Sequence, residues 1–223
     1  VRPSRGAARA LAHQLGLPYR ALCLGARPPL QRVTPMALAE TASIFCETIC
    51  RRAALEQGGA QEQLAILEAS LQGACQVVVD ISSRFLFEQS VFERRRAREQ
   101  SAREFCELMT EAQRQTYGDG LDEGAMHPYM WAVKPHYYSA ERSFYNFPYM
   151  FGMLFGLGLY ARYEQDPEGF KASYDALLGA TGLADAAELA RRFDIDIGRR
   201  AFWERSLDVV RADVDRFVGL VGA

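Results

Sequence analysis

The stretch Leu11-Ala-His-Gln-Leu-Gly-Leu-Pro-Tyr-Arg20, with the residues just before it, sets apolar side chains at Ala8, Leu11, Ala12 and Leu15. Steps of three and four residues put these on one face of a helix. Pro18 has no backbone N–H and its ring crowds the preceding turn, so it is expected to end that helix. The same periodicity spreads outward. Gly25 to Pro35 holds three prolines and reads as a loop. The next block is Met36-Ala-Leu-Ala-Glu-Thr-Ala-Ser-Ile-Phe-Cys-Glu47. It opens a helix reaching about Leu55, with Leu38, Ala42, Phe45, Ile49 and Ala53 along its stripe. Gln57-Gly-Gly breaks it.

A long helical region follows from about Gln61 to Tyr117, as two helices or one bent one, with the mixed charges of Glu93 to Glu104 forming a solvated face. Gly118 to Gly124 is a loop, and His127 to Tyr145 is irregular around Pro128 and Pro135. His127 is expected at the surface. Phe147 to Tyr163 is a buried helix. Asp166 and Pro167 cap and start another, Thr181 is expected to cap the next, and Phe202 to Val218 closes the chain as an amphipathic helix. The one strand candidate, Gln76 to Ile81, is absorbed by the helical pattern around it. The fold class is all-α, a multi-helix bundle. It reads as a single helical domain over 1–223: residues 1–55 carry the first helices, 56–126 the long helical region and 127–223 the irregular block and final helices.

Composition narrows the function. The 223 residues are 49% hydrophobic and 24% charged, with a net charge of −2. That describes a globular chain without the basic field that nucleic acid or an anionic membrane surface attracts. No apolar run reads as long and clean enough to span a bilayer. Lys134 and Lys171 are the only lysines, so nearly all positive charge is arginine. Cys23, Cys46, Cys50, Cys75 and Cys106 show no CxxC spacing and are read as buried free thiols, which suits a reducing, cytoplasmic setting. The chain begins at Val1 rather than Met, which admits a piece of a longer protein.

The chemistry-bearing residues fall into two groups. His13 and Gln14 stand on the first helix. Glu40 follows His13 by 27 residues and Glu47 follows Glu40 by seven, so both carboxylates face one way on the second helix. Further on come Met130-Trp-Ala-Val-Lys-Pro-His-Tyr-Tyr138, then Ser143-Phe-Tyr-Asn-Phe-Pro-Tyr-Met-Phe-Gly152 and Leu154-Phe-Gly-Leu-Gly-Leu-Tyr160. The aromatic residues from Tyr137 to Tyr149 can be read as core packing or as a ligand-facing loop.

Together these blocks resemble the C-terminal part of the catalytic domain of peptidase family M3, in its oligoendopeptidase F group (M3B). The likeness continues through Tyr174-Asp-Ala-Leu-Leu and Phe202-Trp-Glu-Arg-Ser-Leu-Asp, from about Leu11 onward. In that family the first helix reads HExGHxxH. Two histidines at i and i+4 share a zinc ion with a glutamate from the next helix, and the intervening Glu deprotonates the metal-bound water. The resemblance implies zinc, short peptides as substrates and peptide-bond hydrolysis. It implies His13 and Glu40 as ligands, with Glu47 behind the His13 ring. His136, Tyr145 and Tyr149 match the donors that approach the scissile carbonyl. Two positions depart from the family pattern. Gln14 stands where the general base belongs and has no useful basicity; Leu17 stands where the second histidine belongs and has no donor atom. Arg20 takes the place of the later family histidine. The expectation is a zinc-peptidase scaffold whose hydrolysis is impaired or lost. The alternatives are a non-catalytic pseudo-peptidase binding peptides or a partner protein, and a truncated gene product. Self-association through exposed apolar surface is also expected.

Overall fold

A computed structural model describes residues 5–140 and 144–222, which contain helices and no strand. The helices are α1 (Arg5–Cys23), α2 (Thr41–Gln57), α3 (Ala60–Ala74), α4 (Ile81–Arg94), α5 (Ala102–Tyr117), α6 (Met130–Val133), α7 (Phe147–Gln165), α8 (Pro167–Gly179), α9 (Ala186–Arg191) and α10 (Arg200–Val221). The all-α expectation holds. Cys75–Asp80 joins α3 to α4 as a π-helical segment, so the strand candidate is helical. Single-turn 3₁₀ pieces fill several of the loops.

The chain divides into two compact units: residues up to Gln72 with those from Phe151 on, and Gly73–Met150. The core of the first unit gathers around Phe45 of α2. Its ring lies 5.2 Å from Phe170 and 4.7 Å from Tyr174, which stack on each other at 5.1 Å. Leu38, Phe155 and Leu178 are fully buried with them. At the edge of this core Asp213 of α10 is buried and takes both Arg51 and Arg52 of α2, the latter at 2.9 Å. The second unit packs Phe87, Val91, Leu108 and Met109 of α4 and α5, with Trp131 and Tyr137 against them. Gln113 fastens the following loop by donating to the His127 carbonyl at 3.0 Å and accepting from its N–H at 2.9 Å.

Several local expectations are corrected. Pro18 lies inside α1, which continues to Cys23. The ring costs the Gln14 carbonyl its helical donor, but tight seating on α2 carries the helix through. A side chain at Gly16 would meet the Ala42 carbonyl oxygen at 2.5 Å, so only glycine allows the two backbones this approach. The apolar residues of α1 do not all turn inward: Ala12 and Gly16 are buried, while Leu11 and Leu15 are exposed. On α2 the buried stripe runs Ala42, Phe45, Thr48 and Leu55, leaving Ile49 and Ala53 exposed. A stripe written in fours outruns the 3.6-residue turn by about 40° per step, and so drifts off the core. That drift also leaves Cys50 exposed; Cys75 is exposed too, so the thiols, all free, are not uniformly buried.

Thr181 does not cap α9: its hydroxyl donates to the Leu178 carbonyl, and Asp185 caps by accepting from Glu188 N–H at 2.8 Å. Asp166 and Pro167 start α8 as expected, and His127 is exposed. The charged stretch is broken by a turn, after which Ser101 and Glu104 form a reciprocal capping box at the start of α5. The continuous helical run 60–94 is long and apolar enough to cross a membrane by length and composition, contrary to the expectation of no such run. Its most apolar window has mean hydropathy 1.4 and is 22% buried.

Candidate functional site

In the first unit, α1 and α2 bring His13, Glu40 and Glu47 together. The His13 ring lies between the two carboxylates: Nδ1 is 2.6 Å from Glu47 Oε1 and Nε2 is 3.5 Å from Glu40 Oε2. Glu40 sits at the N-cap position of α2, and its carboxylate is oriented by Ser43, whose hydroxyl donates to Glu40 Oε2 at 3.0 Å. Helix α7 closes against the Glu40 stem: a Cβ at Gly152 would stand 2.9 Å from Glu40 Cβ. Arg20 is one turn beyond Leu17 on α1. Its Nη1 donates to the Ala39 carbonyl. Burial pulls the Arg20 guanidinium below its ordinary range, and the Glu40 charge works the other way. Gln14 is exposed and Leu17 half-buried.

In the second unit the structure brings His136, Tyr145 and Tyr149 together. The His136 and Tyr149 rings meet edge-on at 5.9 Å, and Tyr145 meets Tyr149 edge-on at 5.2 Å. His136 Nδ1 is buried and makes no hydrogen bond among the described residues. Burial first, then the Arg84 and Lys134 charges, hold its imidazole below the ordinary histidine range, which favours the neutral ring. Ser143, the start of the quoted block, lies outside the described residues.

Behind this cluster stands a buried polar network absent from the sequence reading. Arg84 pairs with Asp80 and donates to Asn146 Oδ1 at 3.1 Å; Asn146 Nδ2 donates to Glu88 Oε1 at 2.6 Å. Asn146 is 0% exposed, Arg84 4% and Glu88 5%. The signal for it was available: Asp80, Arg84 and Glu88 recur at four-residue steps inside an apolar helical run, a charged face that needs a buried partner.

The sequence profile of peptidase family M3 matches residues 8–209, most of the chain. The chain belongs to peptidase family M3. No curated protein matches it significantly. Two crystal structures share the M3 chain's fold. One is of a candidate peptidase from Chlamydophila abortus, with a TM-score of 0.84 and 19% identity over 95% of this chain. The other is of oligoendopeptidase-F from Enterococcus faecium, with a TM-score of 0.75 and 17% identity over 96% of this chain. The M3 chain spans 36% and 39% of those two chains, respectively.

Family M3 is generally zinc-dependent. The residues of this M3 chain do not fit that ion. A catalytic zinc takes three protein donors and keeps a fourth position open. Among the described residues the Glu40 carboxylate lies 3.5 Å from His13 Nε2, and Glu47 is engaged with the far side of the imidazole. Arg20 adds a fixed positive charge that acts on Glu40. Among the described residues no three His, Cys, Asp or Glu side chains converge as a metal-holding group.

Proposed function

We infer that this chain is a peptide-binding domain of the M3 peptidase fold that does not hydrolyse peptide bonds through zinc. One observation supports the reading: His13 Nε2 lies 3.5 Å from Glu40, with the Arg20 charge acting on Glu40, while Gln14 and Leu17 stand at the sequence positions where the resemblance calls for the base and the second histidine. An amide at Gln14 cannot take a proton from water. The His136, Tyr145 and Tyr149 cluster retains the groups that suit a peptide backbone: phenolic hydroxyls that donate to carbonyls and a neutral imidazole. Short, extended peptides are the ligand class. Free thiols at all five cysteines are compatible with a cytoplasmic setting. Self-association through the exposed apolar residues of α1 is part of this reading.

The test pairs turnover with binding. The purified chain is incubated with an internally quenched peptide library with added zinc, and with a chelator. Calorimetry then follows binding of the unquenched pool under the same two conditions. The expected outcome is no turnover in either condition and binding that ignores the chelator. Turnover that the chelator abolishes overturns the reading in favour of a zinc peptidase. Absence of binding to any pool overturns the peptide-binding half.

A further inference from the structure

The geometry points to Asn146, clamped between Arg84 and Glu88 of α4, as the positioning residue that sets the His136–Tyr149 cluster, so that the clamp governs peptide affinity without touching peptide. This rests on the reading of that cluster as the peptide-binding face. Three observations support it.

First, Asn146 is the node of the segment's backbone. Its N–H donates to the Phe144 carbonyl at 2.9 Å, and its own carbonyl accepts from Tyr149 N–H at 3.1 Å, at the opening turn of α7. Phe144 N–H in turn donates to the His136 carbonyl at 2.8 Å. One chain of backbone bonds therefore runs from His136 through Phe144 and Asn146 to Tyr149.

Second, this chain passes through a conformation that needs holding. Phe144 has φ 61°, a left-handed geometry that a bulky residue rarely adopts. Its ring is held at 4.7 Å from Phe92 and 5.5 Å from Tyr137. Tyr137 packs on Phe87 of α4 at 5.8 Å.

Third, the amide of Asn146 is chemically matched to its two partners. Its oxygen faces the donor Arg84 and its N–H₂ faces the acceptor Glu88, an orientation that only an amide satisfies with both at once. Removing the amide would leave a buried carboxylate and a buried guanidinium each short of a partner, a costly arrangement in a low-dielectric interior. Tyr117, 3.5 Å from Asp80 through its hydroxyl, closes the far end of the network.

The experiment swaps the polarity of the clamp. Asn146→Asp sets a carboxylate against Glu88 across the 2.6 Å that an N–H···O bond now spans. Adding Glu88→Gln returns a donor to that position and restores the network's net charge. The full chain is used, with two readouts: the ring resonances of His136 by NMR, and affinity for a pool of fluorescein-labelled random octapeptides. Asn146→Asp is expected to move the His136 resonances and to weaken peptide binding about tenfold, and the double variant to restore both. Equal peptide binding by wild type and Asn146→Asp, with His136 unmoved, overturns the proposal, as does loss that the double variant does not repair. If wild type binds no peptide, yet His136 moves in the single variant and returns in the double, the clamp stands and the peptide-binding reading falls. Should Asn146→Asp fail to fold by far-ultraviolet circular dichroism, the double variant decides alone. Wild-type His136 resonances and affinity support the clamp, and their loss overturns it.

Discussion

Leu17 and Arg20 are one helical turn apart on α1, and under the proposed reading they oppose a metal in different ways. The isobutyl group withholds a ligand, whereas the guanidinium supplies a competing charge to Glu40. Restoring the ligand alone is therefore not enough. Leu17→His is expected to bind zinc weakly, and adding Arg20→Ala to tighten it by at least about tenfold, read by competition with a zinc indicator. Equal affinity in the two variants would show that Arg20 plays no part. Gly16, just before Leu17, makes a second prediction. Its missing side chain is filled by the α2 backbone, with the Ala42 oxygen and the Ser43 Cα at 2.5 and 2.6 Å from where a Cβ would lie. Gly16→Ala must push two helices apart, which is expected to cost about 2 kcal/mol or more in urea unfolding. At this scale the sequence was legible where spacing alone decides geometry. Glu40 and Glu47 share a helix face because they are two turns apart, and His13 does meet both. Asn146 was not legible, because its partners lie 62 and 58 residues away and only the folded chain brings them together.

Among the elements, α5 starts with the clearest local signal, Ser101 with Glu104 three residues on. Ser101 accepts from Glu104 N–H at 3.3 Å, and the Glu104 carboxylate accepts from Ser101 N–H at 2.9 Å. Ser101→Ala is expected to lower stability by about 1 kcal/mol, seen as an earlier thermal transition. Arg98 first, then the Ser101 N–H and hydroxyl, hold the Glu104 carboxyl down from 4.5 to about 2. A depressed carboxylate stabilises fully above its unfolded value. That contribution is lost as pH falls from about 4.5 towards 2, and Glu104→Gln should flatten this part of an acid helicity curve. Glu88 in α4 has the opposite sign. Burial raises its carboxyl, outweighing Asn146, Tyr137 and Arg84. Its contribution is present in acid and declines as pH rises through the raised value, so Glu88→Gln is expected to gain stability relative to wild type from pH 4 to pH 7. The helix interiors were readable from periodicity. Their ends and faces were less so, because Pro18 is overridden by packing on α2 and the α2 stripe drifts with the true helical turn.

For the whole molecule, the division into two units was the least readable feature. It falls after Gln72, within α3, and after Met150, within α7. No linker composition marks either place, because the helices run through both. Family membership, by contrast, was readable from ordered motifs alone. Surface character bears on solution behaviour. Leu11, Leu15, Pro18 and Leu22 form an exposed stripe along α1, with Leu22 76% exposed. Such a stripe favours association. Light scattering is expected to show concentration-dependent growth that Leu15→Glu with Leu22→Glu removes; a wild-type monomer at all concentrations would count against it.

The π-helical segment Cys75–Asp80 has the effect of a phase shifter. Each residue added to or taken from a helix turns everything beyond it by about 100°. Asp80, Arg84 and Glu88 lie along one line by their four-residue spacing, and the wide turn that ends at Asp80 sets which way that line faces relative to the helix before it. Deleting a single residue between Cys75 and Val79 would leave a tidier helix, with regular bonds throughout, and would turn that line by about 100° about the helix axis relative to Gly73 and Ala74. The irregular turn thus acts as a timing mark along the helix: regularising it would keep the helix and change the direction in which its charged line faces.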